Sequence, residues 1–185
     1  TSTVYYADGT TEMAHFSEID RTIIDTSALP DSVGHAVVAS EDASFYTNNG
    51  VDPKGILRAL WNNLSGGDTQ GASTITQQYV KNYYVDTTSS YAGKFEQAIL
   101  ALKIDRSQSK EEILDSYLNT VYFGRGAYGI EAASQAYFGH KASELTVSES
   151  ALLAGVLPAP SAYDPNVDVD MAQTRWQRVL DRMET

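Results

Sequence analysis

The sequence predicts a mainly α domain entered through a short N-terminal β-hairpin. Three observations carry that reading. Apolar residues recur at helical spacing in successive runs from Asp31 to Met183, with Gly, Pro or Asn at several of the breaks. The one strong strand signal lies at the start, where Asp8-Gly9 sits between β-formers. The length of 185 residues supports one domain, with room for two lobes around a cleft.

In order, Val4 to Met13 reads as the hairpin, so residues 1–30 are expected to be hairpin and linker and residues 31–185 the functional domain. Pro30-Asp31 is a helix start signal. Val33, Val37, Val38, Glu41, Asp42 and Phe45 follow at helical spacing, and Asn48-Asn49-Gly50 is the expected stop. A second helix is expected after Asp52-Pro53, with Leu57, Leu60, Trp61 and Leu64 on one face and a loop at Gly66-Gly67-Asp68. Those four residues suit a core, or a membrane-facing stripe. Ser73 to about Tyr83 is helical, and Asp86 to Ser90 is a polar break. Phe95, Ala98, Ile99 and Leu102 are expected to be the buried stripe of the next helix. Lys110 to Leu118, Ile130 to Tyr137, Val147 to Leu157 and Met171 to Met183 complete the set, with Pro158 and Pro160 closing the penultimate one.

Composition excludes some chemistry. There is no cysteine, so disulfides and thiolate metal sites are out. A net charge of −11 argues against nucleic acid as the main partner. It leaves an anionic substrate open, because a site can be locally basic. The three histidines show no metal-ligand spacing. No apolar run approaches the roughly 20 residues that span a bilayer. The chain opens on Thr1-Ser2-Thr3-Val4 without a signal peptide, so it is expected to be an excised domain whose anchor lies upstream.

Two runs carry the candidate chemistry. Glu41 falls four residues from both Val37 and Phe45, on a face expected to be apolar. A carboxylate is costly to bury there, and desolvation would raise its pKa into the range of a useful general base. The alternative is a solvated acidic pair at a helix end, Asp42 being about 100° round a helix from Glu41. The second run is Gly71-Ala72-Ser73-Thr74-Ile75-Thr76-Gln77-Gln78. Small residues let a ligand approach the backbone, and a helix start offers N–H groups to phosphate oxygens. Ser73, Gln77 and Lys81, and Thr74, Gln78 and Asn82, form two adjacent polar stripes; the alternative is an N-cap and an exposed face. Lys94 and Gln97 flank the next stripe. Arg125 lies between Gly124 and Gly126, in a loop suited to a phosphate, a partner or plain solvent. Glu131 complements a helix dipole.

Glu41-Asp42-x-x-Phe45 with Gly50, Ser73 to Gln78 with Lys81-Asn82, Ile113-Leu114-x-x-Tyr117-Leu118-Asn119, and Gly126 to Ala133 through Tyr137-Phe138-Gly139 closely resemble the peptidoglycan glycosyltransferase domain of class A penicillin-binding proteins, in its actinobacterial form. The matches run in the family's order from about Val33 to Met183. The resemblance implies a lysozyme-like, two-lobed helical fold. It implies polymerisation of lipid II into glycan strands at the extracytoplasmic face of the membrane, with release of undecaprenyl pyrophosphate. By that resemblance Glu41 is the base that deprotonates the acceptor sugar's 4-hydroxyl, Asp42 supports that helix end, and Gln97 stands at the second acid's position. Asn48, Ser73, Thr74, Gln77, Gln78, Lys81, Asn82, Lys94, Tyr122 and Arg125 are the implied substrate contacts. A divalent cation, Mg²⁺ or Mn²⁺, held weakly with the pyrophosphate, is the implied cofactor. The implied partners are lipid II, the growing glycan, the membrane surface and a transpeptidase domain in a longer parent chain.

Three departures stand out against the family pattern. Asn48 replaces a usual histidine and cannot carry a proton at neutral pH. Ala72 replaces a glycine. The third motif, usually Arg-Lys-x-x-Glu, reads Gly93-Lys94-Phe95-Glu96-Gln97. An amide cannot bind a cation by charge, so weaker pyrophosphate and metal handling is expected. Three functions remain open on the sequence: an active transferase, a weakened or non-catalytic lipid-II-binding scaffold, and a lysozyme-like hydrolase. The cradle and Lys81 suit a pyrophosphate donor, which a hydrolase lacks. The stretch from Asp86 to Gly93 is a candidate flap over the donor.

Overall fold

The structure is a computed structural model that describes residues 2–5, 12–16, 20–55, 73–83 and 91–184. The Asp8-Gly9 turn, the helix expected around Leu57 to Leu64, the loop at Gly66-Gly67-Asp68, Gly71-Ala72 and the break at Asp86 to Ser90 lie outside the described residues.

Strands β1 (Ser2–Tyr5) and β2 (Glu12–Phe16) pair antiparallel, as the hairpin signal predicts. A short strand β3 (Asp20–Arg21) pairs in parallel with β5 (Ala127–Tyr128), which also pairs with β4 (Tyr122–Gly124). The rest is helical: α1 (Asp31–Glu41), α2 (Ile75–Tyr83), α3 (Tyr91–Ser107), α4 (Lys110–Leu118), α5 (Ile130–Phe138), α6 (Val147–Val156) and α7 (Val169–Met183). The mainly α class holds.

Local chemistry explains the boundaries. Both α4 and α6 open on a capping box, Ser109 with Glu112 and Thr146 with Glu149, each satisfying two orphan donors reciprocally. Asp168 caps α7 by accepting from Met171 N at 2.9 Å. Gly139 ends α5 in the left-handed conformation that glycine adopts at low cost.

One expected boundary is wrong. The first helix does not run to Asn48; it ends at Glu41, and Asp42 leaves the helix with φ −156° and ψ 78°. Phe45 is nonetheless fully buried, because the following turn brings its ring back to the core. The relation expected of Glu41 and Asp42 on one helix therefore does not apply.

The core is continuous. Helix α1 buries Val33, Ala36 and Val37 against α6 and α7, where Gly155 lets α7 approach so closely that a Cβ would sit 3.3 Å from the Arg175 carbonyl carbon. Ile75, Ile113, Tyr117, Phe123 and Ile130 fill the side facing α2, α4 and the small sheet. Each such side chain is worth about 1.5–3 kcal/mol of burial.

Helix α3 packs on a different face from the one its apolar residues suggest. Phe95 is 70% exposed and Ile99 is 38% exposed. Gly93 and Ala101 are buried instead, with Gln97 half-buried between them. Small residues allow close helix approach, and α3 packs chiefly on α2. Tyr91 to Gly93 belong to this helix, so that end of the proposed flap is ordered secondary structure.

Candidate active site

Glu41 is the last residue of α1 and is half-buried. Its Oε2 accepts from Gln78 Nε2 of α2 at 3.0 Å. Tyr117 of α4, fully buried, donates its hydroxyl to Gln78 Oε1 at 2.9 Å. Ser40 Oγ lies 3.3 Å from Glu41 Oε1 and 3.2 Å from the Ala154 carbonyl. Burial pushes the Glu41 carboxyl above its ordinary value, opposed by the Gln78 bond, the charge of Arg175, the Ser40 bond and the charge of Arg182. A carboxylate so placed takes a proton more readily than a solvated one, as a general base must. Arg182 also donates to the Ser40 carbonyl at 2.8 Å, so an α7 cation caps the C-terminus of the helix that presents Glu41.

Asp42 is buried, and its carboxylate turns away from solvent. Oδ2 accepts from Ile75 N at 3.2 Å, and Asn48 Nδ2 reaches both oxygens, at 3.1 and 3.0 Å. Ser44 Oγ donates to Oδ1 at 2.9 Å. Asn48 Oδ1 in turn accepts from Gly50 N and from Lys110 Nζ, which pairs with Asp105 and lies 4.9 Å from the centre of the Phe45 ring. Asn48 thus braces Asp42. Gly50 is obligatory: its φ is +84°, and a Cβ there would stand 2.5 Å from the Ala101 carbonyl oxygen.

The start of α2 is already supplied with partners. Thr74 Oγ1 donates to the Gly50 carbonyl at 2.7 Å and accepts from Gln77 N at 3.1 Å. Gln77 Oε1 accepts from Thr74 N at 3.0 Å, and Ile75 N goes to Asp42. Thr74 and Gln77 therefore form a reciprocal cap. Among the residues singled out on α2, Lys81 and Asn82 are exposed, and Ser73 just before it is half-buried. Lys94 is exposed on α3, and Gln97 faces the packed side.

Arg125 is held in a tight turn at φ +53°. Its guanidinium makes two bonds to Asp164, at 2.8 and 2.6 Å, and one to the Ala136 carbonyl at 3.0 Å. It lies 4.0 Å from the Tyr137 ring centroid. The Asp164 bond raises the Arg125 pKa and holds the Asp164 carboxyl below its ordinary value. Tyr122 is half-buried, with its ring centroid 4.7 Å from that of Tyr128.

The structure thus joins Glu41 and Gln78 in one side-chain network, Asp42, Asn48, Thr74 and Gln77 in a second beside it, and gives Arg125 to a third. Sequence reasoning gave Tyr117 no part in the site, naming it only within a motif, and did not weigh Arg175 and Arg182. The spacing of the two arginines, seven apart on one helix, was the available signal. Among the described residues no three His, Asp or Glu side chains gather to hold a metal, and Gln97 is an uncharged amide. The described residues do not fit a cation held by the protein alone.

Residues 9–184 match the family model described as Transglycosylase. The chain is 47% identical to penicillin-binding protein 1A of Mycobacterium tuberculosis, over 98% of this chain and 23% of the relative. It is 46% identical to the protein of the same name from Mycolicibacterium smegmatis, over 98% of this chain and 24% of the relative. Against that from Neisseria cinerea the identity is 42%, over 98% and 23%. The chain therefore spans about a quarter of the length of these relatives. A crystal structure of penicillin-binding protein 1A from Haemophilus influenzae shares the fold, with a TM-score of 0.55, at 24% identity, over 98% of this chain and 17% of that one.

Proposed function

Because this chain belongs to the transglycosylase family, the peptidoglycan glycosyltransferase domain of class A penicillin-binding proteins, we propose that it polymerises lipid II with Glu41 as the general base. The observation that carries the reading is the Glu41 carboxylate, raised by burial and oriented by Gln78. Glu41 takes the proton of the acceptor sugar's 4-hydroxyl as that oxygen attacks the donor's anomeric carbon. The bond from that carbon to the phosphate oxygen breaks, and its electron pair leaves with undecaprenyl pyrophosphate. Mg²⁺ or Mn²⁺, if used, would depend on the diphosphate's own oxygens.

The other residues divide by availability. Lys81, Asn82 and Lys94 are exposed and suit the donor's diphosphate, together with Ser73. Thr74, Gln77, Asn48 and Asp42 act by holding α1 and α2 together. Tyr122 remains a candidate sugar contact. Arg125 serves Asp164, which favours a structural part over phosphate binding. The membrane surface, the extracytoplasmic side and a transpeptidase domain in a longer polypeptide belong to the same proposal. No helix among the described residues is long and apolar enough to cross a membrane.

A second reading, a weakened or lipid-II-binding scaffold, is favoured by Gly93 and Gln97 on the packed face of α3. Lipid II polymerisation in detergent with Mg²⁺ or Mn²⁺ decides between them, with Glu41→Gln and Gln97→Glu beside the parent. Polymer that disappears in Glu41→Gln is the expected result. Polymer from Gln97→Glu alone would mean that the third motif has drifted to a weak state. Retained lipid II binding with no polymer from any variant would mean a scaffold, and shortened glycan would mean a hydrolase.

A further inference from the structure

We propose that Tyr117 is a positioning residue for the proton-accepting carboxylate: its hydroxyl, given to Gln78 Oε1, fixes the amide so that Nε2 faces Glu41. This rests on the reading of Glu41 as the base. The two bonds are 2.9 and 3.0 Å and run in series from α4 through α2 to α1.

A carboxamide has two ends of nearly the same shape, so sterics do not choose its orientation. Hydrogen bonding does. With Nε2 toward Glu41 and Oε1 toward Tyr117, every donor meets an acceptor and the carboxylate is ionised. Turned over, Oε1 would face Glu41, a contact that is favourable only when the carboxyl is protonated. The same turn would aim Nε2 at the Tyr117 oxygen and take away the acceptor of a fully buried hydroxyl. Among the described residues, Gln78 Oε1 is the only acceptor that Tyr117 has. An unsatisfied buried donor is costly. The phenol therefore couples the amide's orientation to the protonation of Glu41 and favours the form that can take a proton.

Tyr117 is suited to this because it does not ionise. Burial, with the nearby Glu41 charge, pushes its pKa well above the usual phenol value. Other groups among the described residues bear on Glu41 or its neighbours. Arg175 and Arg182 of α7 lower its pKa; Ser40 donates from α1; Asp42 is tied to Ile75 and Asn48; α6 contributes only the Ala154 carbonyl, to Ser40. None of these discriminates between the two ends of the Gln78 amide.

The test is a pH titration of the Glu41 carboxyl by ¹³C NMR in the 185-residue chain labelled at glutamate, with Glu41→Gln identifying the resonance. It is run beside the pH profile of lipid II polymerisation. Tyr117→Phe should raise the Glu41 pKa by about one unit and move the acid limb of kcat with it, a loss of about tenfold below the limb, with KM unchanged. Gln78→Met should produce a shift of the same sign, and adding Tyr117→Phe to it should produce no further shift. An unchanged titration in Tyr117→Phe, or additive shifts in the double variant, would overturn the proposal. Should Tyr117→Phe fail to fold, an unchanged Glu41 titration in Gln78→Met overturns it equally. Full polymerisation by Glu41→Gln would remove the base reading, while the NMR titration would still decide whether Tyr117 governs Glu41.

Discussion

Asp42 spends both carboxylate oxygens on its own protein, on Ile75 N, Asn48 Nδ2 and Ser44 Oγ. Asp42→Asn replaces one acceptor with a donor facing donors. It should cost about 1–3 kcal/mol, seen in the urea midpoint, and should lower kcat more than it changes KM. Arg125→Lys keeps the charge but loses the fork to Asp164 and the planar stack on Tyr137, so it should destabilise by a similar amount, with little change in lipid II affinity. Glu41 was legible in the sequence because a carboxylate falls where the spacing asks for an apolar residue, and Gln78 because it lies in one of two adjacent polar stripes. The partner of Asp42 was not legible. That bond spans 33 residues and depends on the helix ending at Glu41, which apolar spacing alone does not reveal.

Helix ends decide the site as much as side chains do. Arg182 donates to the carbonyls of Ala39 and Ser40 at the end of α1. Arg182→Ala should fray that end, cost about 0.5–2 kcal/mol in thermal unfolding, and move the acid limb of activity upward, because a cation that lowers the Glu41 pKa is gone. At the junction of α5 and α6, His140 Nε2 meets Glu149 at 3.0 Å, while Nδ1 faces the Lys141 carbonyl at 3.1 Å. Two acceptors call for two N–H groups, the charged ring. The Glu149 bond raises His140, and the Thr146 backbone bond together with His140 lowers Glu149. Stability from His140 is complete below the ordinary imidazole value of 6.5 and is lost as pH rises through the raised value. Stability from Glu149 is complete above 4.5 and is lost as pH falls through the lowered value. The melting temperature should therefore fall on either side of that window, and His140→Gln should flatten the alkaline side. The bounds of α4 were readable because its cap is four residues long and local. The packed face of α3 was not, because Gly93 and Ala101 carry it and apolar counting favours Phe95 and Ile99.

Across the molecule, residues 20–30 behave as part of the domain. β3 pairs with β5, and Asn119, almost wholly buried, accepts from Ile24 N at 2.9 Å and donates to its carbonyl at 3.1 Å. Thr26 donates to Asp115 at 2.6 Å. A chain beginning at Asp31 should unfold several degrees below the full chain in a calorimetric scan, because Asn119 and the edge of β5 are left unpaired. A sequence search for linkers cannot see this, since two paired residues leave no periodicity. The bond from Ile75 N to Asp42 has a consequence for hydrogen exchange. An amide in the first turn of a helix ordinarily exchanges with solvent deuterium at once, since no helical carbonyl precedes it. This one is buried and bonded to the residue beside Glu41, so it should exchange as slowly as an amide in the middle of a helix. Its protection is a native isotope clock for the docking of α2 on α1, readable without substrate.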